Sequence, residues 1–505
     1  MSCSLLLTCA CLLISFSRLV RSACDAVPPL TLPIGNGTIS DREVVRWGLA
    51  VEFGTPPQTM VAALDGDWNS TSFWNTSFPC GNLSRPACSW VHGGSFNDAS
   101  STSWRAPADP DQTDKSPAGG TIDIRGTDTL RVGSDILLDQ FPIYFPKPRV
   151  IPQNNIGLGP NSTFLNRLFD RGEIASRSWS LFWGWQGVEK ENQMNGSLVL
   201  GGYDKAKTAG GAPLTTKFSD GVGCPSSLLV YLSNIVVNHV NGNKTSLFNS
   251  PGSALRACIK PDNPSVVLPE DIFGNLKKAF PGKTVEHSTG IYPTSLAYEP
   301  ENVFAGNITF TLSSGLQITI PNHQLVLPNI EIGDDGAQKI ADGNKTINFS
   351  QIKSEAMSYL GQPFLTSAYI YVNNDMKEFT VWQANATTAT DLVTVQSGSD
   401  NCDNDDASSL SGGAIAGIVV GVVAFLAIAA LCLFFFLKRR NQNKDRDSKA
   451  GLPLVNTNQR ADDKKHPHDT PSEMDAGVSQ QAPSELPDRD YSPQELPADV
   501  PMSNK

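Results

Sequence analysis

Metal-binding motifs are absent from this chain of 505 residues. Its six histidines and ten cysteines do not stand at the spacings that metal ligands adopt in known motifs. A basic excess is lacking too, since 39 lysines and arginines face 50 acidic residues and the formal net charge is −11. Nucleic acids attract strongly basic proteins, so they are not expected partners. The sequence therefore predicts no metal, no cofactor and no nucleic-acid binding.

The N-terminus has the character of a targeting segment. Residues 1–22 lack a basic start but contain an apolar run from Leu5 to Phe16, and small residues follow it. This arrangement predicts a secretory signal peptide, with cleavage after Ser22.

A second apolar run lies near the other end of the chain. Residues 414–437 are 24 residues without a charge, which at about 1.5 Å per residue suffices to span a bilayer. Lys438, Arg439 and Arg440 follow directly, and such a basic cluster places the C-terminal side in the cytoplasm. We expect a single-pass type I protein of the plasma membrane or of a secretory-pathway membrane, with its ectodomain extracellular or lumenal.

Eleven Asn-X-Ser/Thr sequons agree with that orientation, because all of them precede the second apolar run. Sequons accept glycans only in the secretory pathway. The predicted glycosylation sites are Asn36, Asn69, Asn75, Asn82, Asn161, Asn195, Asn243, Asn307, Asn344, Asn348 and Asn385.

Six cysteines remain between the signal peptide and the span, an even number that suits three disulfides in an oxidising compartment. Cys80 and Cys88 close a short loop and are the first predicted pair. Cys224 with Cys258 is a plausible second pair. Cys24 with Cys402 would then tie the two ends of the ectodomain together.

The segments that flank the predicted span lack the composition of a folded domain. Residues 391–411 are rich in Ser, Gly and Asp and are predicted to form a stalk. Residues 438–505 are predicted to be a disordered cytoplasmic tail, because 441–505 contain eight prolines and a single aromatic residue, Tyr491. The sequence does not identify a partner for this tail.

The region between Cys24 and Thr390 alternates in the manner of β-strands. Helical periodicity appears only near "STFLNRLFDRG" and "PEDIFGNLKKAF". The predicted strands, rich in β-branched and aromatic residues, are "WGLAVEF", "TMVAAL", "TIDIRG", "DTLRVG", "SWSLFWGW", "GSLVLGG", "LLVYLSNIVV", "NITFTL", "LQITI", "AYIYVNN" and "EFTVWQA". The fold class is therefore all-β.

Four segments of the chain, in this order, resemble segments of the pepsin-type (A1) aspartic peptidases, above all the fungal membrane-anchored members. They are "WGLAVEFGTPPQTMVAALD", "NNIGLGPNSTFLNRLFDRG", "GSLVLGGYDKAK" and "YLGQPFLTSAYIYVNNDMKEFTVWQAN". The resemblance covers nearly all of residues 45–387. It implies a bilobal fold, with lobes at 23–205 and 206–390, and an interlobe cleft that takes a peptide, a protein or a glycan.

The family hydrolyses peptides with two aspartates that share one proton, each set in an Asp-Thr/Ser-Gly turn. In the first lobe, the count from the Gly-Thr-Pro-Pro-Gln turn places the aspartate at Asp65. The count back from Trp74 places it at Asp67 instead. Neither register yields Asp-Thr-Gly, and Asp65 is the preferred match.

In the second lobe, Lys260 stands where the second aspartate belongs, eight residues before Leu268, and Pro261 and Asp262 follow it. A lysine facing Asp65 would form an ion pair and leave no neutral acid. Asp262 would serve as the second acid only if the loop were rebuilt by two residues.

Two further positions depart from the family pattern. Ser116 takes the place of the flap tyrosine, and only about twenty residues lie between Ser22 and "VVRWGLAV", too few for a long basic prosegment. We therefore expect a catalytically degenerate peptidase fold that acts as a binding or surface module. The alternatives are an active aspartic endopeptidase that pairs Asp65 or Asp67 with Asp262, and a receptor that signals through its tail.

Overall fold

The computed structural model describes residues 27–40, 44–107, 113–115, 121–145, 153–187, 190–219, 223–280, 284–285, 295–299 and 303–397. The predicted signal peptide, membrane span and cytoplasmic tail lie outside these ranges, as do Ser116, Cys24 and Cys402. In the described part of the chain, no helix has the length and apolar character needed to cross a membrane.

The largest sheet has twelve strands drawn from both ends of the folded region. Its order is β11-β25-β24-β8-β9-β1-β2-β3-β7, and β5, flanked by β4 and β6, pairs with the end of β2. The strands are β1 (Leu30–Thr38), β2 (Val45–Phe53), β3 (Gln58–Asp65), β4 (Thr113–Lys115), β5 (Thr121–Val132), β6 (Ile136–Phe145), β7 (Asn155–Gly157), β8 (Ser178–Trp185), β9 (Met194–Leu200), β11 (Leu214–Lys217), β24 (Ala368–Asn373) and β25 (Glu378–Gln383).

Three smaller sheets hold the other described strands. An eight-stranded sheet contains β12 (Leu229–Asn238), β13 (Lys244–Ser246), β14 (Leu255–Ile259), β15 (Val266–Pro269), β18 (Asn307–Leu312), β19 (Gln317–Ile320), β22 (Phe349–Ile352) and β23 (Ser358–Leu360). A four-stranded sheet contains β16 (Thr284–Val285), β17 (Leu296–Tyr298), β20 (Leu327–Ile332) and β21 (Gln338–Ile347). The last pairs β10 (Gly202–Asp204) with β26 (Leu392–Thr394).

Helices are short, and local sequence explains where they begin. They are α1 (Arg85–His92), α2 (Thr163–Asp170), α3 (Glu270–Ala279), α4 (Asn322–Leu325) and α5 (Gln362–Leu365). The hydroxyl of Ser84 accepts the N–H of Ala87 at the start of α1, and that of Ser162 accepts the N–H of Leu165 at the start of α2. Each side chain satisfies a donor that the first helical turn leaves unpaired.

The centre of the large sheet is buried on both faces. Seven of the eight residues of β8, "SWSLFWGW", and all six of β24, "AYIYVN", are shielded from solvent. A strand covered on both sides carries a nearly continuous apolar run, as these two do. Because β24 pairs with β8, the C-terminal part of the fold is joined to the N-terminal part within one sheet.

Two loops are framed in the same way, one in each of the two largest sheets. The loop after β3 begins where β3 runs parallel to β7, whereas the loop after β14 begins where β14 runs parallel to β23. Each partner strand leads through a glycine-containing turn into a short helix, α2 after β7 and α5 after β23. This repeated frame brings the two loops to the candidate site.

The predicted β-strands and both predicted helical stretches are confirmed, with "TIDIRG" and "DTLRVG" joined into the single strand β5. The Cys80–Cys88 and Cys224–Cys258 disulfides are confirmed as well, with Cα–Cα distances of 5.6 Å and 5.4 Å. The predicted start of the stalk is wrong, since Leu392–Thr394 pairs with β10 and belongs to the folded region.

Candidate functional site

Asp65 is the last residue of β3, and its carboxylate is held by the chain around it. The side chain is buried, with the residue only 3% exposed. Oδ1 accepts the backbone N–H groups of Asp67 at 2.9 Å and Trp68 at 3.3 Å. Oδ2 accepts the side-chain amide of Asn155, on the parallel strand β7, at 3.2 Å. Both oxygens of Asp65 are therefore engaged, Oδ1 by its own loop and Oδ2 by the neighbouring strand β7.

The second loop begins at Lys260, directly after β14. The backbone N–H of Lys260 donates to the carbonyl of Leu360 on β23 at 3.1 Å, and its carbonyl accepts the N–H of Asn263 at 3.1 Å. The side-chain amide of Gln362 donates to the carbonyl of Pro261 at 3.4 Å. These contacts fix the loop so that the Lys260 side chain points toward the first loop.

The two loops meet at Gly66 and Pro261. A Cβ atom at Gly66 would lie 3.8 Å from Cδ of Pro261, which is ordinary van der Waals contact. Neither residue has a side-chain hydroxyl, so neither can link the loops as the Thr or Ser of an Asp-Thr/Ser-Gly turn would.

Lys260 forms ion pairs with one carboxylate from each loop. Its ammonium makes a short hydrogen bond to Oδ2 of Asp67 and lies 3.3 Å from Oδ2 of Asp262. The ammonium is also 5.9 Å from the ring centre of Tyr359. The predicted ion pair between Lys260 and Asp65 is therefore wrong: the lysine binds Asp67, two residues further along, whereas the oxygens of Asp65 accept hydrogen bonds from its own loop and from Asn155.

Two carboxylate oxygens at this site have no hydrogen-bond partner among the described residues. They are Oδ1 of Asp67, a residue 4% exposed, and Oδ1 of Asp262. The other carboxylate oxygen of each of these two residues, Oδ2, faces the ammonium of Lys260. The cluster thus holds three acidic groups and one base, and its positive charge compensates only part of its negative charge.

Burial controls the protonation of this cluster. It raises the pKa of Asp67 to about 6, although the Lys260 ammonium opposes the rise. Burial, and then the charges of Asp262 and Asp67, raise the pKa of Asp65 well above its usual range. Burial also raises the pKa of Asp262, against the effect of Lys260. Burial alone would lower the pKa of Lys260, but the surrounding carboxylates, Asp262 foremost, raise it overall.

The carboxylates of Asp65, Asp67 and Asp262 supply oxygens that all lie within 4.8 Å of one another. Hard cations such as Ca²⁺ prefer ligands of this kind. The ammonium of Lys260, however, already contacts two of the three carboxylates. A cation would have to compete with that charge, so the arrangement supplies no argument for a metal centre.

Asn155 contributes to the site but carries no sequence motif of its own. Its Oδ1 accepts the hydroxyl of Ser72 at 2.8 Å and its Nδ2 binds Asp65, so one amide links the loop to the carboxylate. The only sequence indication of its position was the "NNIGLG" segment, where Ile156 alone separates Asn155 from the Gly-Leu-Gly turn.

The eleven sequons lie within the described residues, and two of them have buried asparagines. Asn75 is 2% exposed and its Nδ2 donates to Asp98 at 3.2 Å, while Asn348 is 7% exposed. A glycan on either side chain does not fit the packing around it. The predicted sites at Asn36, Asn82, Asn161, Asn195, Asn243 and Asn385 are exposed, and those at Asn69, Asn307 and Asn344 are half-buried.

A search of the chain against models of known protein families finds no match.

Proposed function

We propose that the described region is a bilobal pepsin-like domain that has lost peptidase activity and acts as a binding module on a membrane-anchored, glycosylated protein. The resemblance of residues 45–387 to the aspartic peptidases supports this fold. So does the repeated frame of the two loops, each set between a parallel strand pair and a glycine turn. The proposed ligand is a peptide, a protein or a glycan in the cleft where the loops meet.

The observation that carries the proposal is the position of the Lys260 ammonium. It contacts Asp67 and Asp262 at the point where the second loop of an active aspartic peptidase would present a carboxylate. Hydrolysis in that family requires one neutral acid and one ionised base around a single water molecule. An ammonium bound to two of the carboxylates favours their ionised forms, which opposes the neutral acid that this chemistry requires.

A second candidate function is an active aspartic endopeptidase, and one observation favours it. Oxygens of Asp65, Asp67 and Asp262 lie within 4.8 Å of one another, a separation that a bridging water can span. The pKa of Asp67 is raised to about 6, so a neutral carboxylic acid forms in mild acid. This alternative requires that Lys260 move away from both of its partners.

A proteolysis assay separates the two candidates. The full-length protein, purified in detergent from a secretory host, is incubated with denatured globin between pH 3 and pH 6, with and without pepstatin. We expect no pepstatin-sensitive cleavage, and no difference between the wild type and Asp65→Ala. Cleavage that pepstatin abolishes and that disappears in Asp65→Ala would establish the endopeptidase instead.

A further inference from the structure

A cavity of about 310 Å³ has no residue of the Asp/Lys cluster in its lining, although its lining residue Gln362 also donates to the carbonyl of Pro261. Its wall consists of the start of β2, the turn between β8 and β9, and the facing strands β20 and β21. The volume is at the lower end of the range typical of small-molecule sites, roughly 300 to 1,000 Å³.

The lining of the cavity combines an indole ring with carboxamide side chains. Trp47 is half-buried, and its indole N–H already donates to the carbonyl of Trp183 at 3.3 Å. Gln186, Gln338 and Gln362 line the cavity with partly or fully exposed amides. Among the described residues that form the wall, the only charged side chain is Arg46, whose guanidinium stacks on Trp90 at 4.2 Å.

This chemistry favours a neutral ligand that is rich in hydroxyl groups. A carboxamide can donate and accept hydrogen bonds, and so can a hydroxyl group, so the two groups are complementary. An aromatic ring offers an apolar face at low conformational cost, against which the C–H face of a sugar ring can pack. Among the described residues of the lining, no carboxylate is present to bind a basic ligand, and the one guanidinium, that of Arg46, stacks on Trp90.

One residue of the lining also carries a buried and unpaired acceptor. Asn348 is 7% exposed, it lines the cavity, and its Oδ1 has no hydrogen-bond partner among the described residues. An unpaired buried acceptor is unfavourable, and a ligand hydroxyl that reached it would supply the missing hydrogen bond. This unpaired oxygen indicates a ligand independently of the other residues of the lining.

The chain itself carries an attachment point for a sugar at the rim. Asn36, in the sequon Asn36-Gly37-Thr38, lines the cavity and is exposed. In the antiparallel register of β1 with β2, Asn36 lies directly opposite Trp47. Side chains that face each other in this way have Cβ atoms about 4.5–5.5 Å apart on the same face of the sheet. The first sugar on Nδ2 of Asn36 would begin beside the indole of Trp47.

We propose that this cavity is a saccharide site, and that its occupant is the core of the N-linked glycan on Asn36. The inference rests on the secretory orientation included in the proposed function. The first sugar covers the exposed face of Trp47, and the second reaches the amides and the unpaired oxygen of Asn348. The glycan thereby becomes part of the fold rather than a mobile surface group.

Site-resolved deglycosylation of the native protein tests this occupant. The full-length glycoprotein is treated with an N-glycanase, and the release from each sequon is followed by glycopeptide mass spectrometry. The reference is Asn243, which is exposed in the turn between β12 and β13 and does not line the cavity. We expect release from Asn36 to be at least fivefold slower than from Asn243 in the native protein, and equal after denaturation. Trp47→Ala should abolish the difference, whereas Trp382→Ala, also half-buried but outside the cavity, should preserve it.

Binding of a free sugar then identifies the source of the saccharide. N,N′-diacetylchitobiose is titrated against Asn36→Gln and against the wild type, with tryptophan fluorescence as the readout. Binding by the variant alone supports the proposal. Binding by both proteins, or by neither, overturns the assignment to Asn36, as does equal release from Asn36 and Asn243. A protein without a glycan at any sequon would refute the secretory orientation too, whereas glycans at Asn243 without protection at Asn36 refute this inference alone.

Discussion

The loop after β3 and the loop after β14 are built alike but differ in charge. Each loop follows a buried strand that pairs with a parallel strand, β3 with β7 and β14 with β23. In each case a glycine in the turn after the parallel strand lies close to the loop. The first loop presents Asp65, whose oxygens accept backbone and amide hydrogens, whereas the second presents Lys260. The comparison shows that the frame of a loop and the charge it carries depend on different residues.

The charge of Lys260 can be removed while the frame of the second loop is kept. Lys260→Met leaves three buried carboxylates without a positive partner, and we expect it to lower the free energy of unfolding at pH 7 by about 3–5 kcal/mol. At pH 4 the loss should be smaller, because protonated carboxylates no longer need the ammonium. Urea denaturation at both pH values measures the difference.

Lys217→Met is the matched control, since Lys217 pairs with Glu378 at 2.8 Å but its side chain is 66% exposed. An exposed pair contributes at most about 1 kcal/mol. If Lys260→Met were no more harmful than Lys217→Met, or cost the same at pH 4 as at pH 7, the lysine would not be the compensating charge.

The frame can be broken in either loop by adding a single methyl group. A Cβ atom at Gly157 would lie 2.6 Å from the carbonyl oxygen of Ser70, and one at Gly361 would lie 2.2 Å from that of Asn263. Both contacts are with backbone, so Gly157→Ala and Gly361→Ala should each displace a loop. We expect each to destabilise the fold by about 3 kcal/mol, at the upper end of the cost of overpacking.

Gly274→Ala, within α3, serves as the control because nothing lies within 4 Å of the added Cβ. It should stabilise by about 0.5–1 kcal/mol, the usual gain from replacing a helical glycine. Thermal unfolding of the three variants gives the comparison. A large loss in only one of the two loop variants would show that the frames are not equivalent.

The sequence was informative about the strands and about Lys260, but less so about the partners of Lys260. Alternating apolar residues predicted the strands because each of them buries at least one face. The position of Lys260 followed from its distance to Leu268. The hydrogen bond between Lys260 and Asp67 could not be predicted in this way. It depends on which groups donate to the oxygens of Asp65, and strand periodicity carries no information about hydrogen bonds.

Two of the elements that the sequence analysis did not predict were missed for different reasons. The strand β1 has polar and small residues, "LTLPIGNGT", and its pairing with β2 and β9 is set by tertiary contacts rather than by its own pattern. The helix α1 could have been predicted, since Ser84 stands in the N-cap position and Pro86 lies in the first turn. Its eight residues were too few to show a clear helical period.

Both loops should respond to acid in the same direction, because burial raises the pKa of a carboxyl group in each. In the folded protein the pKa of Asp67 is about 6, against 3.8 as the usual value. Between pH 3.8 and pH 6 the folded state therefore binds a proton that the unfolded chain does not. The stability that this group contributes is fully present below pH 3.8 and is lost as pH rises through 6. The difference of roughly two pKa units corresponds to about 2–3 kcal/mol. Lys260 has its pKa raised above 10.5, so it stays charged in both states and contributes no pH dependence in this range.

Asp67→Asn removes one of the two titrating carboxyl groups of the first loop, and Asp262→Asn removes that of the second. Relative to the wild type, Asp67→Asn should flatten the gain in unfolding free energy between pH 7 and pH 4 by up to 2–3 kcal/mol. Asp262→Asn should flatten it in the same direction, because burial raises the pKa of that group too. Asp135→Asn, on an exposed turn, controls for the change to an amide. Denaturation profiles of wild type and Asp67→Asn that run parallel from pH 4 to pH 7 would mean that Asp67 stays ionised in the fold, held so by the Lys260 ammonium against the effect of burial.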